Sequence, residues 1–219
     1  MSTRTLFPST GIRARARIAV SLAAVITSVA AAPAAAQHAA SADAAELVEM
    51  YYADSHTILK AVYGLSEDQW NFKSSPDRWS IAEVLEHIVL ADTWGLETMK
   101  KEGADREMSA DAVAAAEEQE AGLVATLKDR SQKFEAPPPF QPTGSFGGPK
   151  ALVAAFEKDR AAIGSYLEAV DFDMRARYAT HPILGEMDMH GWAVFLLEHG
   201  NRHLQQIEEV KAAYGYPTN

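Results

Sequence analysis

His199 and His203 are the two side chains in this sequence with the clearest chemical potential. Four residues apart on a helix, they share one face, with Cβ atoms about 6 Å apart. Trp192, Phe195, Leu196, Gln206, Ile207 and Val210 follow the same helical period, so the two imidazoles interrupt an otherwise apolar inward stripe. A buried imidazole needs partners for both ring nitrogens or it costs stability. A divalent cation satisfies one nitrogen on each ring at once. The alternative is a pair of partly exposed or hydrogen-bonded histidines. The intervening residues are Gly200-Asn201-Arg202, so the glutamate of the His-Glu-x-x-His zinc-protease pattern is missing.

His87 is the third candidate. It falls in register with Val84 and Ala91, on or beside the apolar stripe of another helix. Alone it reads as a satisfied core or boundary residue. Together, three imidazoles from two helices could make a facial site that leaves a fourth position for water or substrate. Glu86 and Glu198 each precede a candidate ligand, and at about 100° per residue they point away from it. Both read as surface charges. Asp54 and Asp159 fall among apolar positions, where each could hold a ligand imidazole from behind or sit at the boundary of the core. Trp79 and Trp192 lie near helix starts, as packing at the end of the fold or as a wall of the metal pocket. His56 and His190 read as surface or boundary residues. A Gly-rich phosphate loop, a Gly-x-Ser-x-Gly elbow and a Ser-His-Asp order are all missing, and no general base can be assigned.

The elements that position these residues are helical. Leu47, Met50, Tyr51, Ile58 and Val62 recur at three- and four-residue steps over about 42–63, and Gly64 follows as a stop. Ser66 to Gln69 has capping-box spacing and opens a short turn. Ser80-Ile-Ala-Glu83 is a second capping box and starts a helix carrying Ile81, Val84, Leu85, Ile88 and Ala91, closed by Lys100, Lys101 and Gly103. Residues 104–135 read as a weaker peripheral helix. Ala136 to Pro149 holds five prolines and reads as a long crossover loop. A further helix begins at Pro149, with Leu152, Phe156, Ile163, Leu167 and Val170 inside. Residues 171–187 read as irregular. The last helix runs from about Asp188 to Tyr214. No stretch sustains a period of two, so the fold expected is all-α, a four-helix bundle with long crossover connections. The short 64–79 link allows the helices on either side of it to be antiparallel neighbours.

The start of the chain reads differently. Met1 to Ala36 has no acidic residue, with Arg4, Arg13, Arg15 and Arg17 early, an apolar run from Ile18 to Ala32, and Ala34-Ala35-Ala36 at its end. These are the three parts of a secretory signal peptide, with cutting expected after Ala36, beside His38. A single membrane anchor is the alternative, but the run is short and rich in Ala and Ser. The arginines are interrupted, so the twin-arginine pattern is absent. The expected division is therefore a signal peptide over 1–36 and one domain over 37–219, periplasmic or secreted.

The whole chain has 219 residues, 20 basic and 30 acidic side chains, and no cysteine. Removing four arginines leaves 16 basic against 30 acidic, a formal −14. Such a surface disfavours nucleic acid and anionic membranes as partners. The lack of cysteine excludes disulfides, iron–sulfur clusters and a thiol nucleophile. What remains is a small-molecule substrate or ligand, with no stable membrane insertion after processing. A homodimer stays open.

Three blocks carry a family resemblance. Pro76-Asp-Arg-Trp79-Ser80-Ile81-Ala-Glu83-Val-Leu-Glu-His87-Ile-Val resembles the first block of the DinB-like (DinB/YfiT-like) superfamily. His181-Pro182-Ile-Leu-Gly185 resembles its loop before the last helix. Gly191-Trp192-Ala-Val-Phe-Leu-Leu-Glu-His199-Gly-Asn-Arg-His203-Leu-Gln-Gln206-Ile-Glu-Glu-Val resembles its closing helix. The likeness covers about residues 42–214. It implies a four-helix bundle with a three-His site for zinc or nickel, whose ligands by that match are His87, His199 and His203. Some relatives are thiol-dependent transferases or isomerases and others are described as hydrolases. The thiol partners belong to the cytoplasm, which an exported chain leaves. The reading is thus an exported metal-dependent enzyme of hydrolytic type, with a non-catalytic metal or small-ligand binding protein of the cell envelope as the alternative.

Overall fold

The computed structural model describes residues 34–103 and 105–218, with side chains from Asp43 onward. The expected signal peptide lies almost wholly outside the described residues. The order is α1 (Ala34–Val62), α2 (Glu67–Asn71), α3 (Ile81–Glu102), α4 (Ala110–Lys128), a 3-10 turn (Pro138–Phe140), α5 (Pro149–Glu168), β1 (Tyr178–His181), β2 (Gly185–Asp188) and α6 (Met189–Lys211). The fold is mostly helical, in keeping with the all-α reading. Among the described residues, no helix is long and apolar enough to cross a membrane.

Local chemistry sets the helix starts. Ser66 and Ser80 both form complete capping boxes: each hydroxyl accepts from the backbone three residues on, and Gln69 or Glu83 reaches back. Asp188 caps α6 through the backbone N–H of Gly191, and Pro149 opens α5 where its missing N–H costs nothing.

α1 and α3 each pack against both α5 and α6, while α4 lies against α6. The short link therefore does not make α1 and α3 principal neighbours, contrary to the simplest expectation. Their inward faces are completed instead by the two later helices, whose apolar stripes fill the space between them. The apolar interior has two parts. One collects Leu47, Tyr51, Met99, Ile163, Trp192 and Leu196; the other Ile58, Ile81, Leu85, Phe156 and Ile207. Side chains of this size stabilise by about 1.5–3 kcal/mol each when fully buried.

A polar layer interrupts the apolar interior. Arg160 of α5 donates from Nη1 to Asp54 of α1 at 2.8 Å and from Nε to Asp92 of α3 at 2.7 Å. All three are buried. Burial drives the Asp92 carboxyl up to about 7 despite the guanidinium beside it. Gly200 of α6 sits over this layer, and a Cβ there would collide with the Arg160 guanidinium.

Residues 171–187 are not wholly irregular. Tyr178–His181 pairs antiparallel with Gly185–Asp188, Tyr178 opposite Asp188 and His181 opposite Gly185. Strands of four residues are too short for a period of two to stand out against the surrounding pattern. The hairpin lies against α3 and α6 at the end of the fold where α6 begins.

Candidate metal centre

His87 comes from the second turn of α3, and His199 and His203 from the middle of α6. Packing of α3 against α6 brings the three together. His87 Nε2 lies 3.1 Å from His199 Nε2, and His203 Nε2 lies 3.2 Å from the same atom. Each ring offers a nitrogen, and the three atoms all lie within 4.8 Å of one another. His87 and His203 are buried; His199 is half-buried. The three residues named from the sequence are therefore the ones that meet, and their donor atoms could hold one metal ion.

Outer partners orient two of the rings. His87 Nδ1 lies 2.7 Å from the carbonyl of Phe140, which can only accept, so Nδ1 carries the proton and Nε2 presents its lone pair inward. His203 Nδ1 lies 2.9 Å from Gln206 Oε1, with the same consequence. His199 Nδ1 is enclosed and has no partner among the described residues. Burial holds all three rings well toward the neutral form. It lowers His87, carries His203 down to about 3, and with the charges of His203 and His87 pushes His199 well below the usual range. Neutral imidazoles with inward lone pairs are what a zinc- or nickel-type cation requires, so these residues fit such a group.

Glu86 explains how the Phe140 carbonyl arrives. It is buried, not a surface charge, and it accepts from the backbone N–H groups of Thr143, Gly144 and Ser145 and from both hydroxyls. Burial raises its carboxyl, but those backbone donors outweigh burial and hold it below the ordinary range. The proline-rich crossover is thereby stapled to α3, one residue from a candidate ligand. Glu198 is also buried and lies 3.5 Å from Lys128 of α4. Both glutamates do point away from the cluster, as the helical angle requires. Their burial was not legible because the partners come from the distant crossover and from the peripheral helix.

Asp54 pairs with Arg160 and Asp159 accepts from Thr93, so neither holds a ligand ring. The two tryptophans divide. Trp192 is fully buried and donates from Nε1 to the Ala179 carbonyl at 2.9 Å, a packing role. Trp79 stands beside the cluster, its ring 4.9 Å from His87 and 6.3 Å from His203, centroid to centroid. His56 is exposed, and His190 lies 2.8 Å from Glu120.

The cluster opens on a cavity of about 840 Å³, lined by the aromatic rings of Trp79, Trp94, Phe140 and Phe195 and by His181, and also by charged side chains such as Arg78, Arg130, Lys133 and Glu135. A concave site of this size, part aromatic and part charged, has the dimensions of a small-molecule site. Sequence reasoning missed three parts of it. Gln206 stands three residues after His203, a spacing that could have suggested its hydrogen bond. The Phe140 carbonyl carries no side-chain signal at all. His181 was noted only as part of a loop.

Residues 50–207 match the model of the DinB superfamily. The uncharacterized protein YuaE of Bacillus subtilis (strain 168) is 32% identical over 152 residues, covering 68% of this chain and 86% of that protein. No solved structure matches. The chain belongs to the DinB superfamily.

Proposed function

We propose that this member of the DinB superfamily is an exported metal-dependent enzyme of hydrolytic type, with zinc or nickel held by His87, His199 and His203. The observation that carries the reading is the convergence of three imidazole Nε2 atoms, two of them fixed as lone pairs by Phe140 and Gln206, in the lining of a cavity large enough for a small molecule. A divalent cation held by three imidazoles supplies Lewis-acid chemistry at the coordination position the protein leaves open. The chain's own residues do the rest. Phe140 and Gln206 orient the rings, Trp79 and Phe195 exclude bulk water, and the Glu86 staple keeps the crossover in place. We also read α1, α3, α5 and α6 as a four-helix bundle, preceded by a signal peptide removed after Ala36, and place the mature domain in the periplasm or the medium.

A second reading, a metal or small-ligand binding protein of the cell envelope, draws on another observation. The buried carboxylates beside the cluster are engaged: Glu86 with the crossover, Glu198 with Lys128, and Asp54 and Asp92 with Arg160. Among the described residues, none of these buried carboxylates is free to act as a general base. Elemental analysis tests the site: the mature protein should carry one equivalent of metal, and His199→Ala and His203→Ala should lose it. Equal metal in all three removes the site. Turnover of ester, amide and phosphoester panels by the metal-loaded protein separates enzyme from binder, and no metal-dependent turnover favours the binder.

A further inference from the structure

His181 closes β1, opposite Gly185, across a turn made by Pro182, Ile183 and Leu184. Gly185 has φ +81°, a conformation that costs glycine little and that tightens this turn. Two backbone N–H groups thereby fold back on the imidazole. Ile183 donates to His181 Nδ1 at 3.2 Å and Leu184 at 3.1 Å. A nitrogen that receives two N–H donors presents its lone pair, so the proton of the neutral ring sits on Nε2. This is the opposite tautomer to His87 and His203, whose outer partners put the proton on Nδ1.

The ring is held by aromatic neighbours. Its centroid lies 5.4 Å from Trp94, 5.4 Å from Trp192 and 5.0 Å from Phe195. Burial lowers its pKa to about 4, so the ring is neutral at physiological pH. Among the described residues Nε2 has no protein partner, yet it is not among the fully enclosed polar atoms, and His181 lines the same cavity as the three-His cluster. Phe195, one helical turn before His199, is the ring between the two sites, 5.7 Å from His199. A neutral donor with a fixed proton and apolar walls selects for an acceptor oxygen and cannot itself accept a second proton cheaply.

We propose that His181 Nε2–H is a substrate-binding donor, taking an acceptor oxygen of a carboxylate, carbonyl or phosphoryl group carried on an apolar or aromatic body in the cavity between the hairpin and the histidine cluster. The proposal rests on the cavity being the substrate site, but not on the presence of metal.

Benzoate is the probe, titrated into metal-free mature protein and followed by tryptophan fluorescence, since Trp94 and Trp192 flank the ring. One hydrogen bond of this kind is worth about tenfold in affinity. His181→Phe, which keeps the ring's bulk, should weaken benzoate about tenfold, and His181→Gln, which keeps a donor, should recover most of the loss. Nitrogen-15 NMR of the wild type gives a readout that needs no variant: Nε2 should be protonated at pH 7 and its proton should shift on adding benzoate. Wild type that takes no benzoate, equal affinity in folded His181→Phe, or a proton found on Nδ1 overturns the proposal. Because no metal is present, failure of the three-His reading would leave these results standing.

Discussion

His87 and His199 stand 112 positions apart in the chain, yet their Nε2 atoms lie 3.1 Å from each other. With the His87 proton committed to the Phe140 carbonyl, its inward lone pair needs a proton or a cation from the other side. His199 can supply at most one proton, and His203 presents a second lone pair to the same atom. A cation resolves the deficit for all three rings at once. Zinc or nickel added to metal-stripped protein should therefore raise its melting temperature. At a hundredfold excess over Kd the gain is about 2.7 kcal/mol, several degrees for a domain of this size. Thermal scans with and without metal check this, and His199→Ala should show no shift.

Gln206 offers a finer test. Its Oε1 fixes the His203 proton on Nδ1, and outer partners of this kind are typically worth 10- to 100-fold in metal affinity. Gln206→Leu should weaken zinc within that range while leaving the circular dichroism spectrum unchanged. Gln206→Glu, a stronger acceptor, should bind at least as tightly as wild type. Competition against a chromophoric chelator reads both. Unchanged affinity in Gln206→Leu would count against the tautomer argument.

Glu86 should matter to the crossover more than to α3. Hydrogen bonds to a charged group are worth about 1.5–3 kcal/mol, and several converge on this carboxylate. Glu86→Ala should destabilise the domain by about 2–3 kcal/mol. Hydrogen exchange should rise first across residues 136–149, and metal affinity should drop as the Phe140 carbonyl loosens from His87. Exchange confined to other segments would show that the loop is held by something else.

What was readable in the sequence follows from range. His199 and His203 are four residues apart on one helix, and the capping boxes at Ser66 and Ser80 span three, so local rules exposed them. His87 came into the set through its register and the family blocks. Everything that supports the cluster is long-range or made of backbone. The Phe140 carbonyl is 53 positions from His87, the Glu86 staple 57 from Thr143, and the Arg160 pairs cross 106 and 68 positions. Pattern in a single helix shows that Glu86 and Glu198 face away from the ligands, but not that another segment buries them. The pairing of α1 with α5 and α6 has the same origin, because inward stripes say which face packs and not against which helix.

Gly200 sets two effects of opposite sign against each other. In an exposed helix, alanine for glycine would gain about 1 kcal/mol. Here the new Cβ would meet the Arg160 guanidinium and come within 3.1 Å of Asp54 Oδ2, both in the buried ion layer. Displacing a paired, buried arginine strands charge in the core at a cost of about 3–5 kcal/mol. The collision should win, and Gly200→Ala should destabilise by about 2–4 kcal/mol in urea unfolding. A stabilised variant would mean that the layer yields easily.

The metal-free protein should lose stability as the pH falls from about 6.5 toward 4. Burial lowers the folded-state pKa of His87, His199, His181 (to about 4) and His203 (to about 3), so in that window the unfolded chain binds more protons than the folded one. Stability from these groups is fully present above their unfolded value and drains away as the pH drops through the folded ones. Asp92 acts the other way. Its folded pKa of about 7 lies above its unfolded value, so its contribution falls as the pH rises from about 4 to 7. Burial raises Asp54, Asp159 and Asp188 as well, by less than Asp92, so they join it at the acid end of the window near pH 4; toward pH 6.5 the four histidines outweigh Asp92 and leave a net rise with pH. Each proton of difference contributes about 1.4 kcal/mol per pH unit. Urea unfolding of the metal-free domain at pH 4.5, 5.5 and 6.5 should show that rise. Replacing His203 by phenylalanine should take close to one proton out of the slope, whereas Asp92→Asn should steepen it; a wild-type curve flat over this range would mean that the rings are not buried in the neutral state.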